Sequence, residues 1–440
     1  MKVTARAIFI AAIIVFINFF SACTSQVQNH QGEWPQWMGP NRDATWSLDL
    51  EKRSLDTDDL EKVWEAEIGT GYCSPTVADN RTYVMDYQES PVPSERVLCY
   101  NAGTGEKEWE FSYETNYTVG YPTGPRASVL IHGGKAYSYG TMGELYCLDA
   151  KTGSEIWHVN GKEAYDISIP VWGLSSSPII VDDKLIVQIG GEPDACMVAF
   201  NKDTGEELWR ALPDRASYSS PILIEQAGKQ VLVIWTGDNV TGLNPHDGSV
   251  YWVVPFRQSR SVINIAMPVI QWPYMFLSCF YDGSMLIKLS EKSTSASMVW
   301  HRKGESVRKT DALHCIISTP FIQGDHIYGV DSYGEFRCLD LMTGDRIWKD
   351  QTLTPYGRWS NAHFAFDRDR FWAFNEKGEL VLGKVSPAGF TELGRAHLID
   401  PVRVSPNPRG GVNWAFPAFA GRNVFVRSDA QLICYRLKDD

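Results

Sequence analysis

A turn that ends in glycine, followed four residues later by tryptophan, recurs along this 440-residue chain. CLDAKTGSEIW, which ends at Trp157, is the clearest copy. The tryptophans that end the copies, one of them degenerate at Trp300, are Trp109, Trp157, Trp209, Trp252, Trp300 and Trp348. Successive tryptophans are 48, 52, 43, 48 and 48 residues apart. A period of about 40 to 50 residues is typical of an array of supersecondary units, and it constrains the fold before any other feature.

A second marker sets where each unit begins. A small residue and a proline precede an apolar strand in six units, and Val129 and Phe364 replace the proline in two more. The six prolines are Pro75, Pro178, Pro221, Pro268, Pro320 and Pro417. After each start, short apolar or alternating segments are separated by Gly, Asp or Asn turns, which is typical of four antiparallel strands. The sequence therefore predicts an all-β fold, an eight-bladed β-propeller of four-stranded antiparallel blades.

The two ends of the repeat region complement each other. The last unit, FPAFAGRNVFVRSDAQLICYRL, contains three strands and stops before a tryptophan strand, whereas KVWEAEIG carries Trp64 ahead of the first unit. Pairing of residues 62–68 with the strands in 420–437 would close the ring and cover two sheet edges that otherwise favour aggregation. We therefore expect residues 59–440 to form the propeller.

The repeated tryptophans are expected to serve packing. Each lies at the same point of an outer strand, where a large ring can fill the wedge between neighbouring blades and its N–H can find an acceptor. The predicted packing residues are Trp64, Trp109, Trp157, Trp209, Trp252, Trp300 and Trp348. The seventh unit (VSPAGFTELGRA) has no such tryptophan, so its junction is expected to be the weakest.

The repeat has the form A-x-D-x-x-T-G-x-x-x-W, which resembles the tryptophan-docking repeat of the pyrroloquinoline quinone (PQQ) propeller superfamily from about residue 60 to the end. The segment WPQWMGPNRDATW (34–46) is similar to the opening of many bacterial PQQ-like propellers. The superfamily includes quinoprotein alcohol dehydrogenases and the propeller lipoprotein of the outer-membrane β-barrel assembly machine. The resemblance implies the fold and leaves the chemistry open, because one fold serves many functions.

The first residues resemble a bacterial export signal. Lys2 and Arg6 precede an apolar run at 7–20, which is shorter than the roughly 20 residues of a membrane span. FSAC resembles a lipobox, so residues 1–22 are predicted to be a lipoprotein signal peptide and Cys23 the lipidated start of a tether and extension, 23–58. The alternative is an ordinary signal peptide with an incidental cysteine. Thr24 after the cysteine favours an anchor in the outer membrane, facing the periplasm.

The charge balance limits the partners. The formal net charge is −12 at pH 7. Binding of nucleic acid requires a basic surface, and so does electrostatic binding to anionic lipid. We therefore expect no nucleic acid partner, and we expect membrane association through the lipid on Cys23 alone.

The other eight cysteines are not expected to form a disulfide framework. Cys99, Cys147, Cys338 and Cys434 occupy the same third-strand position in four different blades. Such positions should lie farther apart than the roughly 7 Å limit for a disulfide, so these cysteines are interpreted as small buried apolar residues. Pairing among Cys73, Cys196, Cys279 and Cys315 stays open. The sequence contains no C-x-x-C and no H-E-x-x-H pattern.

The loops that lead into the inner strands are expected to form one rim of the central channel. Positions at or just before the strand starts concentrate aromatic, basic and amide side chains, which is typical of a binding pocket. The candidate ligand- or partner-binding residues are Tyr72, Arg126, Trp172, Tyr218, Asn264, His314, Arg358, Trp359, Asn361, His363 and Trp414. For His363, a satisfied core position is an equal alternative.

We expect a lipid-anchored envelope protein whose propeller is a binding or scaffold module for envelope proteins or a small ligand at the channel mouth. The alternatives are a PQQ-dependent dehydrogenase-like oxidoreductase and a carbohydrate-binding receptor. Quinoprotein dehydrogenases hold PQQ with a disulfide between adjacent cysteines, a stacking tryptophan and Ca²⁺, and they use an aspartate base. Here adjacent cysteines are absent and only the isolated Asp166 and Asp311 lie near the rim, so no catalytic residue, metal ligand or cofactor is assigned.

Overall fold

The computed structural model of the chain describes residues 32–46, 48, 51–121, 123–402 and 411–439. The predicted signal peptide (1–22), Cys23 and the rest of the predicted tether up to residue 31 lie outside the described residues. None of the helices in the described part has the length and hydropathy needed to cross a membrane. Lipid anchoring therefore stays a prediction.

The described strands form eight antiparallel sheets, which are the blades of a ring. A short 3-10 helix, Thr57–Asp59, leads into the first strand, β1 (Leu60–Glu67). Blade 1 consists of β2 (Thr76–Ala78), β3 (Arg81–Gln88), β4 (Ser94–Asn101) and β5 (Lys107–Glu114). Blade 2 consists of β6 (Leu130–His132), β7 (Lys135–Tyr139), β8 (Glu144–Asp149) and β9 (Glu155–Asn160).

Blade 3 carries an additional short strand. A one-turn helix, α1 (Gly161–Ala164), precedes this strand, β10 (Asp166–Ile167), which pairs with β12. Blade 3 otherwise consists of β11 (Ile179–Val181), β12 (Lys184–Glu192), β13 (Ala195–Asn201) and β14 (Glu207–Ala211). Blade 4 consists of β15 (Ile222–Gln226), β16 (Lys229–Trp235), β17 (Asn239–Leu243) and β18 (Val250–Pro255).

The remaining blades complete the ring. Blade 5 consists of β19 (Val269–Gln271), β20 (Tyr274–Cys279), β21 (Gly283–Leu289) and β22 (Ala296–Arg302). Blade 6 consists of β23 (Phe321–Gln323), β24 (His326–Val330), β25 (Phe336–Asp340) and β26 (Arg346–Asp350). Blade 7 consists of β27 (Ala362–Asp367), β28 (Arg370–Asn375), β29 (Glu379–Ser386) and β30 (Gly389–His397). Blade 8 consists of β31 (Ala418–Ala420), β32 (Asn423–Arg427), β33 (Gln431–Leu437) and β1.

The marker residues coincide with the inner strands. Each of the six prolines stands immediately before an inner strand, Val129 stands immediately before β6, and Phe364 lies within β27. The middle strands are nearly continuous buried runs because both faces of a blade pack on neighbouring blades; β3 and β28 are examples. The eight four-stranded sheets confirm the predicted eight-bladed propeller.

The first strand of the fold closes the ring. β1 pairs antiparallel with β33, from Leu60 opposite Leu437 to Glu67 opposite Gln431. The strand order of blade 8 is β1-β33-β32-β31, so the outer strand comes from the start of the propeller and the other three from its end. The predicted closure by residues 62–68 is therefore confirmed.

The repeated tryptophans lie on the glycine turns of the next blade. The ring of Trp64 packs beside Gly105 of blade 1, and its Nε1 donates a hydrogen bond to the Ala102 carbonyl oxygen at 2.9 Å. The same kind of bond runs from Trp109, Trp157, Trp209 and Trp300 to the carbonyl oxygens of Ala150, Lys202, Pro245 and Leu341. Each blade junction of this type thus has one aromatic ring with a satisfied N–H group.

Two junctions use a different acceptor. Trp252 donates to the side-chain oxygen of Gln226 at 3.0 Å, and the Gln226 amide donates to the Ser290 and Ser295 carbonyl oxygens of the degenerate turn in blade 5. Trp348 donates to the Ser386 carbonyl oxygen in blade 7. A glutamine therefore bridges the gap where the repeat has lost its glycine.

We expect Gly105→Ala to destabilise the protein more than Gly133→Ala. Both glycines have left-handed φ angles, +73° and +59°, so alanine costs about 1–2 kcal/mol at either position. A Cβ atom at Gly105 would lie 2.6 Å from Trp64 Cδ2, whereas one at Gly133 would have no atom within 4 Å. Overpacking should add about 1–3 kcal/mol at Gly105 alone. Urea unfolding of both variants measures the difference, and equal losses would contradict a packing role for Trp64.

The extension before β1 crosses the channel and reaches the last junction. Trp34 exchanges backbone hydrogen bonds with Val77 of blade 1, and Trp46 N–H donates to the Phe366 carbonyl oxygen of blade 7. The Trp46 ring packs between Trp372 of blade 7 and Phe419 of blade 8. The extension thereby supplies a tryptophan at the junction whose outer strand has none.

All eight described cysteines are buried and unpaired. Cys73, Cys196, Cys279 and Cys315, whose pairing the sequence left open, form no disulfide with one another. Burial raises the pKa of the Cys99 and Cys434 thiols to about 12, so these thiols are protonated at neutral pH.

Candidate functional site

The mouth cleft is a depression at the channel end where the inner strands begin. Its volume is about 140 Å³. Its aromatic lining residues are Trp37, Tyr72, Tyr121, Trp172, Tyr218, Trp359 and Trp414. Its other lining residues are Arg126, Ser175, Ser177, Ser220, Ile263, Ile265, Ile316 and Ile317. Aromatic side chains from six inter-strand loops and from the extension therefore converge on one small space.

The aromatic rings close the cleft by contacting each other across it. Tyr121, between β5 and β6, makes edge-to-face contacts with Trp359 and Trp414, with ring centroids 5.3 Å apart in both pairs. Trp414 also lies 6.0 Å from the Tyr72 ring. Each such pair contributes about 0.5–1.5 kcal/mol beyond the area that it buries, so the rings hold each other in place.

Two of these rings stand on unusual backbone. Tyr121 and Trp359 have φ angles of +65° and +70°, which are uncommon for residues other than glycine. Left-handed backbone at a bulky residue costs of order 1–3 kcal/mol and is concentrated at ligand clamps and switches. The strain therefore falls on the two loops that meet over the cleft.

Arg126 is tied to the wall of the cleft. Its Nη1 and Nη2 donate to the carbonyl oxygens of Gly124 and Gly120 at 2.6 and 3.0 Å, and its guanidinium lies 5.0 Å from the centre of the Tyr72 ring. Burial lowers the pKa of Arg126. Its side chain therefore shapes the loop that carries Tyr121 as well as contributing charge.

The structure places six of the eleven predicted rim residues in the cleft and buries four others behind it. Tyr72, Arg126, Trp172, Tyr218, Trp359 and Trp414 line the cleft. Asn264, His314, Asn361 and His363 are buried instead. Asn264 donates to the Trp235 and Thr236 carbonyl oxygens, so it holds an inter-strand connection. These four side chains serve the core because the loops fold over them, which strand position alone does not reveal.

Both buried histidines are held by backbone groups. His314 Nδ1 lies 3.0 Å from the Phe280 carbonyl oxygen, and the Gly304 N–H donates to its Nε2. His363 Nε2 lies 2.8 Å from the Trp414 carbonyl oxygen. Burial lowers the pKa of His314 and lowers that of His363 to about 4. Both rings are therefore neutral at pH 7, and His363 occupies the core position that was its alternative interpretation.

We expect the protein to lose stability as the pH falls from about 6.5 to about 4. The unfolded chain binds a proton at His363 throughout this window while the folded chain does not, so unfolding is favoured by up to about 1.4 kcal/mol per pH unit. His363→Gln keeps an N–H donor for Trp414 and removes the titration. Urea unfolding at several pH values should give a smaller slope for this variant, and identical slopes would exclude the contribution of His363.

An arginine rim borders the cleft on blades 5 to 7. It consists of Arg260, Arg308 and Arg358, which are exposed and lie over the rings of Tyr281, Tyr333 and Trp359 at 5.4, 5.9 and 4.6 Å. Arg358 also lies over Phe280. Three exposed cations on aromatic faces thus occupy the loops before three successive inner strands, on a chain whose net charge is −12.

Carboxylates near the arginine rim are engaged by other cations. Asp282 pairs with Lys303, Glu305 with Lys309, and Asp311 with Arg302. The Asp311 carboxylate has its pKa lowered by Arg302, so it is an ionised surface partner rather than a base. Each of these three carboxylates therefore has a cation of its own outside the rim.

Sequence reasoning missed four residues of this surface. Trp37 lies in the extension, far ahead of the first strand start, and Tyr121 precedes the position that was counted back from Val129. Arg260 and Arg308 lie in the long loops before β19 and β23. The available signal was the recurrence of arginine in three successive loops of one side of the ring.

The mouth cleft does not fit PQQ. A binding pocket for a small molecule usually has a volume of about 300–1,000 Å³, and the mouth cleft has about 140 Å³ because aromatic rings fill it. No described residue that lines it is acidic, and the described residues contain no cluster of three His, Cys, Asp or Glu side chains suited to a metal. Burial raises the pKa of Asp429. Its carboxyl group interacts with Arg427 and Arg126 and does not line the cleft.

Comparison with known proteins gives two groups of relatives. The family model described as outer membrane protein assembly factor BamB matches residues 93–350, more than half of the chain. The BamB protein of Yersinia pestis is 21% identical over 283 residues, which cover 62% of this chain and 67% of that protein. The quinoprotein ethanol dehydrogenase of Pseudomonas putida is 26% identical over 203 residues, 40% of this chain and 32% of that enzyme. The chain thus spans about a third of the length of such dehydrogenases.

Solved structures are similar in fold. BamB from Moraxella catarrhalis superposes with a TM-score of 0.57 at 12% identity and covers 86% of this chain and 99% of that one. A quinohemoprotein alcohol dehydrogenase from Pseudomonas putida HK5 gives a TM-score of 0.59 at 12% identity and covers 93% and 81%. At this identity the likeness concerns the fold alone.

Proposed function

The chain belongs to the family described as outer membrane protein assembly factor BamB, and from this membership we propose that it is a binding protein of the bacterial cell envelope. Its lipid on Cys23 anchors it to the membrane, and the residues that follow carry the propeller away from the anchor. The mouth cleft and the arginine rim together dock a segment of a partner protein. The protein acts as a scaffold and carries out no chemistry at this site.

The observation that carries the proposal is the arginine rim next to an aromatic cleft. Aromatic residues and arginine are the residue types that dominate protein–protein contacts, where single anchors contribute roughly 2 kcal/mol or more. Arg358 lies over Trp359, which lines the cleft, so the charged and the apolar parts form one surface. The chain as a whole is acidic, yet the three arginines of the rim are exposed beside the cleft.

The partner segment is acidic and carries at least one large apolar side chain. Carboxylates of the segment face the arginine rim, where complementary charge speeds association and selects the partner. The apolar side chain enters the cleft after Tyr121 and Trp359 move apart, which relieves their left-handed backbone. Recognition by such a segment requires neither a metal nor a base.

The experiment is a charge reversal of the rim. The triple variant Arg260→Glu, Arg308→Glu and Arg358→Glu should capture at least tenfold less partner from envelope extracts than the wild type. Its thermal unfolding midpoint should stay close to that of the wild type, because all three side chains are exposed. Capture by the wild type should also decrease as salt is raised.

Lys229→Glu is the matched control. Lys229 is an exposed cation 5.3 Å from the Tyr251 ring, and it follows the turn after β15, at the blade end opposite the mouth cleft. This variant should capture the partner as the wild type does. Equal loss in both variants would indicate a general charge effect, and unchanged capture by the triple variant would contradict the proposal.

A further inference from the structure

The far-end cavity lies along the inner strands of blades 3 to 7 and extends to the ends where these strands finish. Its volume is about 650 Å³, which is within the usual range of small-molecule pockets and several times that of the mouth cleft. Residues 36–43 of the extension form one side of it, and the ends of the inner strands of blades 3 to 7 form the others. The cavity adjoins the mouth cleft, because Trp37 of the cleft donates from Nε1 to Met267 Sδ of the cavity at 2.8 Å, but no residue lines both spaces.

The wall of the cavity is largely aliphatic. Ile180, Ile222, Ile224, Ile270 and Ile322 line it, and all five are partly exposed. Apolar surface that remains in contact with water disfavours the empty state by about 25 cal/mol per Å². An apolar ligand chain along these isoleucines would remove that surface from water.

A buried cation stands at one side of the cavity. Arg42 lines the cavity and is only 7% exposed. Its Nη1 donates to the Pro178 carbonyl oxygen at 2.8 Å and to the Gln36 Oε1 at 3.2 Å, and its Nη2 donates to the Ser177 carbonyl oxygen at 3.1 Å. Within the described part of the chain, burial is the only cause of its pKa shift and no carboxylate contributes, and its Nε has no acceptor.

The charge of Arg42 is not neutralised by these contacts. Carbonyl oxygens satisfy the N–H groups but leave the positive charge, and burying an unpaired charge is costly. Burial lowers the pKa of Arg42 to about 9, so the guanidinium is still protonated at pH 7. The other charged lining residues are Arg368, Arg370, Asp43 and Asp369, and Asp369 is paired with Lys384.

The segment that holds Arg42 is built on strained backbone. Met38, Arg42 and Ala44 have φ angles of +59°, +58° and +58°. Such residues persist only when the surrounding structure holds them, and they are concentrated at functional sites. They belong to the segment WPQWMGPNRDATW (34–46). Of this segment, Trp37 alone lines the mouth cleft.

We propose that the far-end cavity binds a single-chain carboxylate amphiphile, a fatty acid in chemical class, with its carboxylate at Arg42 and its chain along the isoleucine wall. Gln36 is the side-chain acceptor of Arg42, and the ligand carboxylate takes its place. The ligand thereby neutralises the buried cation and covers the apolar wall at once.

The test uses the full chain with Cys23→Ser, so that neither lipid nor detergent competes for the cavity. Calorimetric titration with decanoate below its micelle concentration should give saturable binding of one molecule per chain. Decyltrimethylammonium has the same chain with the opposite charge and should bind at least tenfold more weakly. Absence of saturable decanoate binding, or equal binding of the cationic amphiphile, would overturn the proposal.

Three variants locate the site. Arg42→Gln removes the charge and should weaken decanoate binding at least tenfold, whereas Arg42→Lys should retain most of it. Ile270→Trp, in β19 and outside the extension, places a larger side chain in the cavity and should also weaken binding at least tenfold. The proposal is therefore testable even if Arg42→Gln fails to fold. Unchanged binding by Ile270→Trp would overturn the placement.

Discussion

A chain that lacks residues 56–67 should not form a closed monomeric ring. The deletion removes β1, so β33 loses its partner from Gln431 to Leu437 and becomes an exposed sheet edge. It also removes Trp64, whose ring packs beside Gly105 of blade 1. Exposed edges associate with other chains, so we expect oligomers by size-exclusion chromatography with light scattering, and a large fall in the thermal unfolding midpoint.

A peptide added in trans separates ring closure from general destabilisation. A synthetic peptide of residues 56–69 should restore the monomer, because it can pair with β33 and place its tryptophan on blade 1. The same peptide with Trp64→Ala should restore the monomer poorly. It would lack the contacts that the indole makes with Ala102, Tyr100 and Phe425. If the deleted chain is already a monomer with the wild-type midpoint, β1 is not the closing strand in solution.

We expect Trp46→Ala to lower the free energy of unfolding by about 3–5 kcal/mol, the usual cost of truncating a fully buried tryptophan. Trp46 is 1% exposed, packs on Trp372 and Phe419 with centroid distances of 5.1 and 4.8 Å, and donates from Nε1 to the Gly421 carbonyl oxygen at 2.8 Å. Alanine leaves a cavity between blades 7 and 8 and an acceptor without its donor. Denaturant unfolding measures the loss.

Trp272→Ala is the matched control for this effect. It is the same change at a tryptophan that is 43% exposed, in the turn between β19 and β20, so the loss should be much smaller. Similar small losses in both variants would mean that the extension contributes little to the last junction. The junction between blades 7 and 8 would then be weak, as predicted from the absence of a tryptophan in the outer strand β30.

The blades could be predicted because each unit repeats the same packing problem. The proline before an inner strand and the tryptophan after a glycine turn recur because every blade meets its neighbour in the same way. The unmatched Trp64 strand likewise indicated closure. The role of Trp46 could not be predicted, because the extension has no repeat and its contacts depend on where the finished ring leaves a gap.

The candidate site was predictable only in part. Counting back from the strand starts located Tyr72 and Trp414 in the mouth cleft, since the topology brings these positions to one end of the channel. It could not tell a lining residue from one buried behind it, as with His363, because loop conformation decides that. Arg126 is one of the predicted binding residues, yet its bonds to Gly120 and Gly124 make it part of the loop structure.

Closure by the first strand has a consequence for how the chain folds. Leu60 pairs with Leu437, so nearly the whole propeller separates the two partners of the final sheet. Contacts of such long sequence separation form late, because the entropy of closing so large a loop opposes them until the rest is in place. A chain that is synthesised from its N-terminus must therefore keep β1 unpaired until β33 has been made. Synthesis of β33, rather than the stability of any single blade, sets the moment at which the ring becomes resistant to unfolding and proteolysis.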